Sequence, residues 1–247
     1  MSGVLVVVPA RYDSTRLPGK ALADLGGRPL VVRVAELAAR METTDEVIVA
    51  TDDARIAEAV EAAGLRAEMT GDHPTGTDRV AEVLRRRHAD IVLNLQGDEP
   101  LLDPGDLDAL VRALLDDPAA DMATLAHPFG DEDEWRDPNV VKVLVGEDGH
   151  ALWFSRAAIP GAHAGGADDA PWRMAERHVG VYAFRGASLK RFLNLPRTAL
   201  ERAEGLEQLR ALEHGLRILV APASGLPVGV DTPEDLERVR AIWARRD

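Results

Sequence analysis

Short apolar runs alternate with amphipathic stretches through the first half of this chain, and that alternation restricts the fold more than any other feature. Val4–Val8 is an unbroken apolar run of strand length. Leu30, Val34, Leu37 and Met41 then recur at helical spacing, followed by a strand-like Glu46–Ala50 and by Ile56, Val60 and Ala63 on one helix face. Val80, Val83 and Leu84 mark another helix before the strand Ile91–Leu95. Leu107, Leu110, Val111 and Leu114 mark a fourth helix, and Met122–Ala126 a further strand. Strands alternating with helices of this length imply an α/β fold, with a mostly parallel sheet flanked by helices on both faces.

The rhythm then changes. Val140–Val145, the turn Gly146–Gly149 and Ala151–Ser155 read as a β-hairpin. The stretch Pro160–Pro171 is rich in Gly, Ala, Asp and Pro and is expected to be a mobile loop. His178–Phe184 is strand-like, two helical patterns follow at Ser188–Asn194 and at Leu206, Leu209 and Leu212, and Arg217–Ala221 is a late strand. Thr232 stands as the cap of a last helix, with Pro233 at its first position and acids in its first turn. With 46% apolar residues a sizeable core can form, so residues 1–247 are expected to be one domain, and 139–185 an inserted sheet region within it.

Composition removes whole classes of function. The formal net charge of −13 disfavours nucleic acid as a partner, and the densest basic cluster, Arg85–Arg86–Arg87, reads as a solvated helix face. No run approaches the ~18 apolar residues of a membrane span, so no membrane partner is expected. Cysteine is absent, which excludes disulfides, thiolate metal sites and cysteine nucleophiles together. Met1 leads into the first strand without a basic leader, so a cytoplasmic location is expected.

The segment after the first strand is Pro9-Ala10-Arg11-Tyr12-Asp13-Ser14-Thr15-Arg16-Leu17-Pro18-Gly19-Lys20. A loop at the carboxyl end of a first parallel strand is where α/β sheets bind ligands. Three cations, small residues and hydroxyls make it a plausible cradle for a triphosphate. It carries neither the dinucleotide fingerprint nor the Walker glycine spacing, which argues against a dehydrogenase. Asp98 follows directly on the strand Ile91–Leu95 and therefore lies at the same rim. Asp231 follows the late strand after a turn-rich stretch. Two carboxylates meeting at a polyphosphate are what Mg²⁺ needs. Taken alone, Asp98 also reads as a turn acid and Asp231 as a residue on the approach to the Thr232 cap. Glu99 is not counted as a ligand, because an extended segment points it elsewhere.

The first-loop segment resembles the opening signature of the CMP-Kdo synthetases, the 3-deoxy-manno-octulosonate (Kdo) cytidylyltransferases. The likeness continues through Ala50-Thr51-Asp52-Asp53, Thr75-Gly76-Thr77-Asp78-Arg79, Asn94-Leu95-Gln96-Gly97-Asp98-Glu99-Pro100 and Asn139-Val140-Val141-Lys142-Val143. It runs on through Phe154-Ser155-Arg156, Arg177-His178-Val179-Gly180-Val181-Tyr182, Leu206-Glu207-Gln208-Leu209-Arg210 and Gly229–Leu236. The motifs stand in family order over nearly the whole chain. Thr75 and Asp78 depart from the pattern, where Ser and Glu are expected, and the loop Pro160–Pro171 diverges.

The resemblance implies a Rossmann-like nucleotidyltransferase that joins CTP to Kdo, releases pyrophosphate and serves lipopolysaccharide or related surface glycan synthesis. It implies Mg²⁺ on Asp98 and Asp231, with Lys20, Asp98 and Asp231 as the catalytic set. Ala10, Arg11, Arg16, Lys20 and Thr75 would handle the nucleotide, with Gln96 beside the reacting groups. Arg79, Gln96, Arg156, His178, Tyr182, Glu207 and Gln208 would face the sugar acid. A homodimer using the 139–185 region is implied as well. On the residues alone, His178 also reads as a satisfied strand histidine, and Glu207 and Gln208 as the polar face of a helix. Two alternatives stay open: activation of another acidic sugar, such as 8-amino-Kdo or a sialic acid, and a non-catalytic nucleotide sensor. Retention of Lys20, Asp98 and Asp231 speaks against the sensor.

Overall fold

The computed structural model describes residues 3–14, 16–161, 170–225 and 228–245. Thr15 and most of the predicted mobile loop therefore lie outside the described residues. The chain separates into two compact units, one of residues 1–108 and 225–247, the other of residues 109–224.

The first unit begins with β1 (Val4–Ala10), every residue of which is buried. A short ribbon of β2 (Asp24–Leu25) and β3 (Arg28–Pro29) leads to α1 (Leu30–Ala38). Then come β4 (Glu46–Thr51), α2 (Ala54–Ala62), β5 (Ala67–Met69), α3 (Gly76–Arg86) and β6 (Ile91–Asn94). Helix α4 (Pro104–Asp116) carries the chain onward.

All pairings among β1, β4, β5 and β6 are parallel, in the order β6-β1-β4-β5. The chain steps outward from β1 to β4 to β5 and then returns to the other side of β1. Right-handed crossovers accordingly put α1 and α2 on one face and α3 on the other. The reversal between β1 and β6 is a topological switch point, where the loops after both strands part and leave a crevice.

Periodicity overextends α1. The helix ends at Ala38, and Met41 lies in the following turn, still buried at 5% exposure. Its amide donates to the Ala38 carbonyl, so burial of the side chain continues the apolar pattern where the helix itself has stopped. The three-residue β5 has no matching sequence pattern: Ala67-Glu68-Met69 is too short and too polar to read as a strand. Arg86 and Arg87 pair with Glu46, Glu68 and Glu82, in keeping with a solvated helix face.

The second unit is built on β7 (Met122–Pro128), α5 (Glu132–Arg136), β8 (Lys142–Val145), β9 (Ala151–Ser155), β10 (Glu176–Arg185), α6 (Gly186–Leu193), α7 (Ala199–Glu204), α8 (Glu207–Glu213) and β11 (Ile218–Pro222). Strand β7 pairs antiparallel with β10 and parallel with β11. The predicted hairpin is present: β8 and β9 pair antiparallel, and β8 also joins the start of β10. Helix α9 (Pro233–Trp243) closes the first unit. It opens as the sequence predicts, with Thr232 and Asp235 forming a reciprocal capping box and Pro233 at the first helical position.

Candidate functional site in the first unit

The loops after β1 and β6 meet at a cleft of about 350 Å³. Pro9, Ala10, Arg11, Arg16, Lys20, Thr75, Gln96, Asp98 and Asp231 all line it. That size is at the lower end for a small-molecule pocket. Its position is set by the strand order, and close backbone approach shapes its floor. A side-chain carbon added at Gly97 would stand 3.1 Å from the Pro9 carbonyl, so a larger residue there would push the loop after β6 back from the end of β1 by a few tenths of an ångström.

Lys20 sits at the start of a single 3-10 turn, Lys20–Leu22. Its Nζ donates to Asp98 Oδ2 at 2.6 Å and to Asp231 Oδ1 at 3.1 Å, while Arg16 Nη2 reaches Asp231 Oδ2 at 2.9 Å. Burial by itself would lower the Lys20 pKa; the charge and hydrogen bonds of Asp98, followed by those of Asp231, outweigh it and hold the group above its ordinary value. The ammonium is thus secured in its charged form.

Asp98 and Asp231 are far apart in sequence, and the backbone brings them together. The Val230 amide donates to the Asp98 carbonyl at 2.9 Å, and the Val230 side chain is fully buried in a cluster with Leu25, Leu30, Leu101, Leu236 and Val239. Asp231 therefore emerges at the cleft just ahead of the Thr232 cap: it is a residue of the helix approach and a rim acid at once. Glu99 sits in the turn after β6, its amide donating to the Gln96 carbonyl at 3.3 Å. Its carboxylate lies against the Gly229 backbone, where an added side-chain carbon would stand 2.9 Å from Oε1.

Thr75 caps α3, accepting from the Asp78 amide at 3.1 Å and donating to Asp78 Oδ2 at 2.9 Å. The two departures from the family pattern are partners in one cap, to which the Thr75 hydroxyl commits its proton. What remains toward the cleft is the start of α3, whose dipole favours an anion. Gln96 donates to Asn94 Oδ1 at 3.4 Å, a long bond that a ligand could replace. Arg79 lines the same cleft but is only 3% exposed, and its guanidinium is committed to Asp52 at 2.7 Å and to Thr70 at 2.5 Å.

Arg156, His178, Tyr182, Glu207 and Gln208 belong to the second unit. Opposite Thr124 and Leu125, β10 carries a bulge that takes up Gly180 and Val181. The Thr124 hydroxyl bridges it, lying 2.8 Å from the Val181 carbonyl and 2.9 Å from His178 Nε2. Burial pushes the His178 pKa down to about 3, so this ring is neutral at physiological pH and offers hydrogen bonds, not charge. Its ring centroid is 5.4 Å from that of Tyr182. Burial, with the nearby Glu207 charge, raises the Tyr182 phenol well above its ordinary value and keeps it a donor. Gln208 is 5% exposed in the first turn of α8, so it is not part of a solvated helix face.

Sequence reasoning passed over Ser14, His73 and Pro74, which also line the cleft. His73 Nε2 lies 2.6 Å from Glu82 Oε2. Its place two residues before Thr75 was the available signal. Thr124 carried none, since its partner lies 54 residues further on.

Comparison with known proteins places the chain among sequences of one kind. A family model described as "Cytidylyltransferase" matches residues 5–218. A 3-deoxy-manno-octulosonate cytidylyltransferase of Anaeromyxobacter sp. (strain Fw109-5) is 52% identical over 246 residues, covering 99% of this chain and 98% of that protein. The protein of the same name from Geobacter sulfurreducens is 47% identical, covering 96% and 97%. A solved structure of CMP:2-keto-3-deoxy-manno-octonic acid synthetase complexed with CTP superposes with a TM-score of 0.94 at 43% identity, over 100% of both chains.

Proposed function

The chain belongs to the cytidylyltransferase family, and from that premise we propose that it transfers CMP from CTP to Kdo, forming CMP-Kdo and pyrophosphate. The observation that carries this reading is the grip of Lys20 on both Asp98 and Asp231 at the switch-point cleft. Relatives at about half identity over nearly their whole length bear the name of this activity.

In the reaction the anomeric hydroxyl of Kdo attacks the α-phosphorus of CTP in line. A new P–O bond forms, the bond to the pyrophosphate oxygen breaks, and the hydroxyl proton passes to solvent water. No protein nucleophile is needed. Arg11, Arg16 and Lys20 offset the triphosphate charge and align the α-phosphorus. Lys20, held protonated, donates to phosphate oxygens and moves no proton. The Pro9–Ala10 backbone and the start of α3 flank the rest of the nucleotide.

The residues present fit Mg²⁺. Asp98 and Asp231 are hard oxygen donors that already converge on one cation, the Lys20 ammonium. Among the described residues no group of three or more His, Cys, Asp or Glu could hold a metal. Two carboxylates with substrate phosphates and water are the mixed ligand set that Mg²⁺ takes. When bound, the ion would supply Lewis-acid stabilisation of phosphoryl charge.

For the sugar acid, Arg156, His178, Tyr182, Glu207 and Gln208 supply donors and acceptors suited to a carboxylate and several hydroxyls. Arg79 and Gln96 line the cleft of the first unit, Gln96 beside the reacting groups. Pyrophosphate release compared across Kdo, its 8-amino analogue and a sialic acid tests the substrate. Turnover should be efficient with Kdo and weak with sialic acid; efficient use of sialic acid with none of Kdo would overturn the assignment.

The whole chain acts as one nucleotidyltransferase, with 139–185 as the surface that meets a second copy. Among the described strands β9 pairs only with β8, and Leu152 on it is 63% exposed, which supports an apolar contact there. Sedimentation should give twice the 26.7 kDa chain mass. A single species at chain mass across micromolar concentrations would remove the dimer. No helix among the described residues is long and apolar enough to cross a membrane.

A further inference from the structure

Lys142 is a buried charge that the proposed chemistry leaves unused. It opens β8 and is 0% exposed. Its Nζ donates to three backbone carbonyls: Asp137 at 2.7 Å, Val140 at 2.8 Å and Arg156 at 2.7 Å. An ammonium has three N–H donors, and each has found an acceptor. Burial pushes the group below its ordinary pKa, with Asp137 opposing that shift and Arg156 adding to it. Core stability alone does not call for a charge here, since an apolar side chain of similar volume avoids the desolvation cost.

What the charge does is fix two pieces of backbone around one guanidinium. Lys142 pairs with Ser155 across the hairpin, so Arg156 is the first residue beyond β9. The Arg156 side chain then makes its own contacts. Nε donates to the Glu204 carbonyl at 2.7 Å, and Nη1 to the Pro138 carbonyl at 3.2 Å. Its backbone amide donates to Glu204 Oε2 at 2.8 Å. Pro138 adjoins Asp137, whose carbonyl Lys142 holds. Lys142 thus anchors both the residue that carries the guanidinium and the turn that receives it. The Nη2 donors are left without an acceptor among the described residues. A fork fixed along one side and open on the other is suited to a carboxylate.

We infer that Lys142 is a positioning residue that aims the Arg156 guanidinium at the carboxylate of the sugar acid, an inference resting on the proposed sugar-binding role of Arg156. Steady-state pyrophosphate release by the full chain tests it, with Lys142→Met, Arg156→Ala and the double variant. Lys142→Met should raise the KM for Kdo about tenfold or more and leave the KM for CTP within about twofold. The double variant should be no worse for Kdo than Arg156→Ala alone, because the two residues act as one unit.

A merely structural lysine predicts a lower melting temperature with the KM for Kdo unchanged. An unchanged KM for Kdo in Lys142→Met, beside a raised one in Arg156→Ala, overturns the positioning role alone. An unchanged KM for Kdo in Arg156→Ala overturns the reading of Arg156 itself. If Lys142→Met fails to fold, Lys142→Gln keeps two N–H donors and gives the same comparison. An intermediate rise in the KM for Kdo then supports the role, and no rise overturns it.

Discussion

Asp98→Asn should reduce turnover by roughly a hundred- to several-thousand-fold, the loss expected when one charged metal ligand is removed from a phosphoryl-transfer site. The swap keeps size and shape and removes a single negative charge. It also leaves the backbone bond from the Val230 amide to the Asp98 carbonyl in place, so the Asp231 segment stays where it is. Melting should remain near that of the parent, because a rim carboxylate contributes little to core packing. Asp231→Asn should do less damage. Asp231 is 49% exposed against 29% for Asp98, and it stands on the helix approach, not directly behind a central strand. Raising Mg²⁺ should recover part of the Asp231→Asn loss. Full activity of Asp231→Asn at limiting Mg²⁺ would reduce that residue to a capping-region acid.

Lys20→Ala is the second large effect. Lys20 is 17% exposed and holds both acids, so its removal takes away a proposed triphosphate contact and leaves two carboxylates facing each other. A contact that strengthens in the transition state contributes roughly 2–4 kcal/mol, or about thirty- to a thousandfold in kcat/KM. Stability should suffer less than activity. The folded pKa of Lys20 is raised, so its stabilising contribution is fully present below the ordinary lysine range and is lost only as pH rises through the folded value. At neutral pH the variant lacks that contribution, but water reaches both acids and screens their repulsion. Lys20→Ala with unchanged CTP kinetics would make Lys20 a structural bridge between the two acids and nothing more.

The parts of this fold that could be read from sequence are those whose cause is local. Val4–Val8 reads as a buried strand because it is a short apolar run in which four of the five residues are β-branched valine. The start of α9 was legible because Thr232, Pro233 and Asp235 each act within one turn. Helix α7 could have been found the same way, since Thr198 and Glu201 form a capping box, but its six residues bury too little apolar surface to show a period. Helix α5 has five residues, three of them acidic, and buries only Trp135.

The site divides along the same line. Arg11, Arg16 and Lys20 were readable as a cradle because they share one loop after one strand. That Lys20 joins Asp98 to Asp231 was not readable, since the three lie 78 and 211 residues apart and meet only through strand order and the Val230 backbone bond. The motif resemblance named those residues but not their geometry. Lys142 was hidden for another reason: in Val140–Val145 it reads as the solvent-facing position of a strand, while its three acceptors are carbonyls that no side-chain pattern reports. Gln208 reads as helix surface from spacing and proves buried, because the helix bearing it is only seven residues long and packs around its first turn.

The most direct test of the central claim is the appearance of pyrophosphate and CMP-Kdo in a reaction of the purified chain with CTP, Kdo and Mg²⁺. The two products should form in equal amounts, and omission of CTP, omission of Kdo or addition of EDTA should each abolish both. Robust turnover with ATP or GTP but not CTP would contradict the cytidylyl assignment, and equal turnover in EDTA would contradict the role of Asp98 and Asp231 as metal ligands.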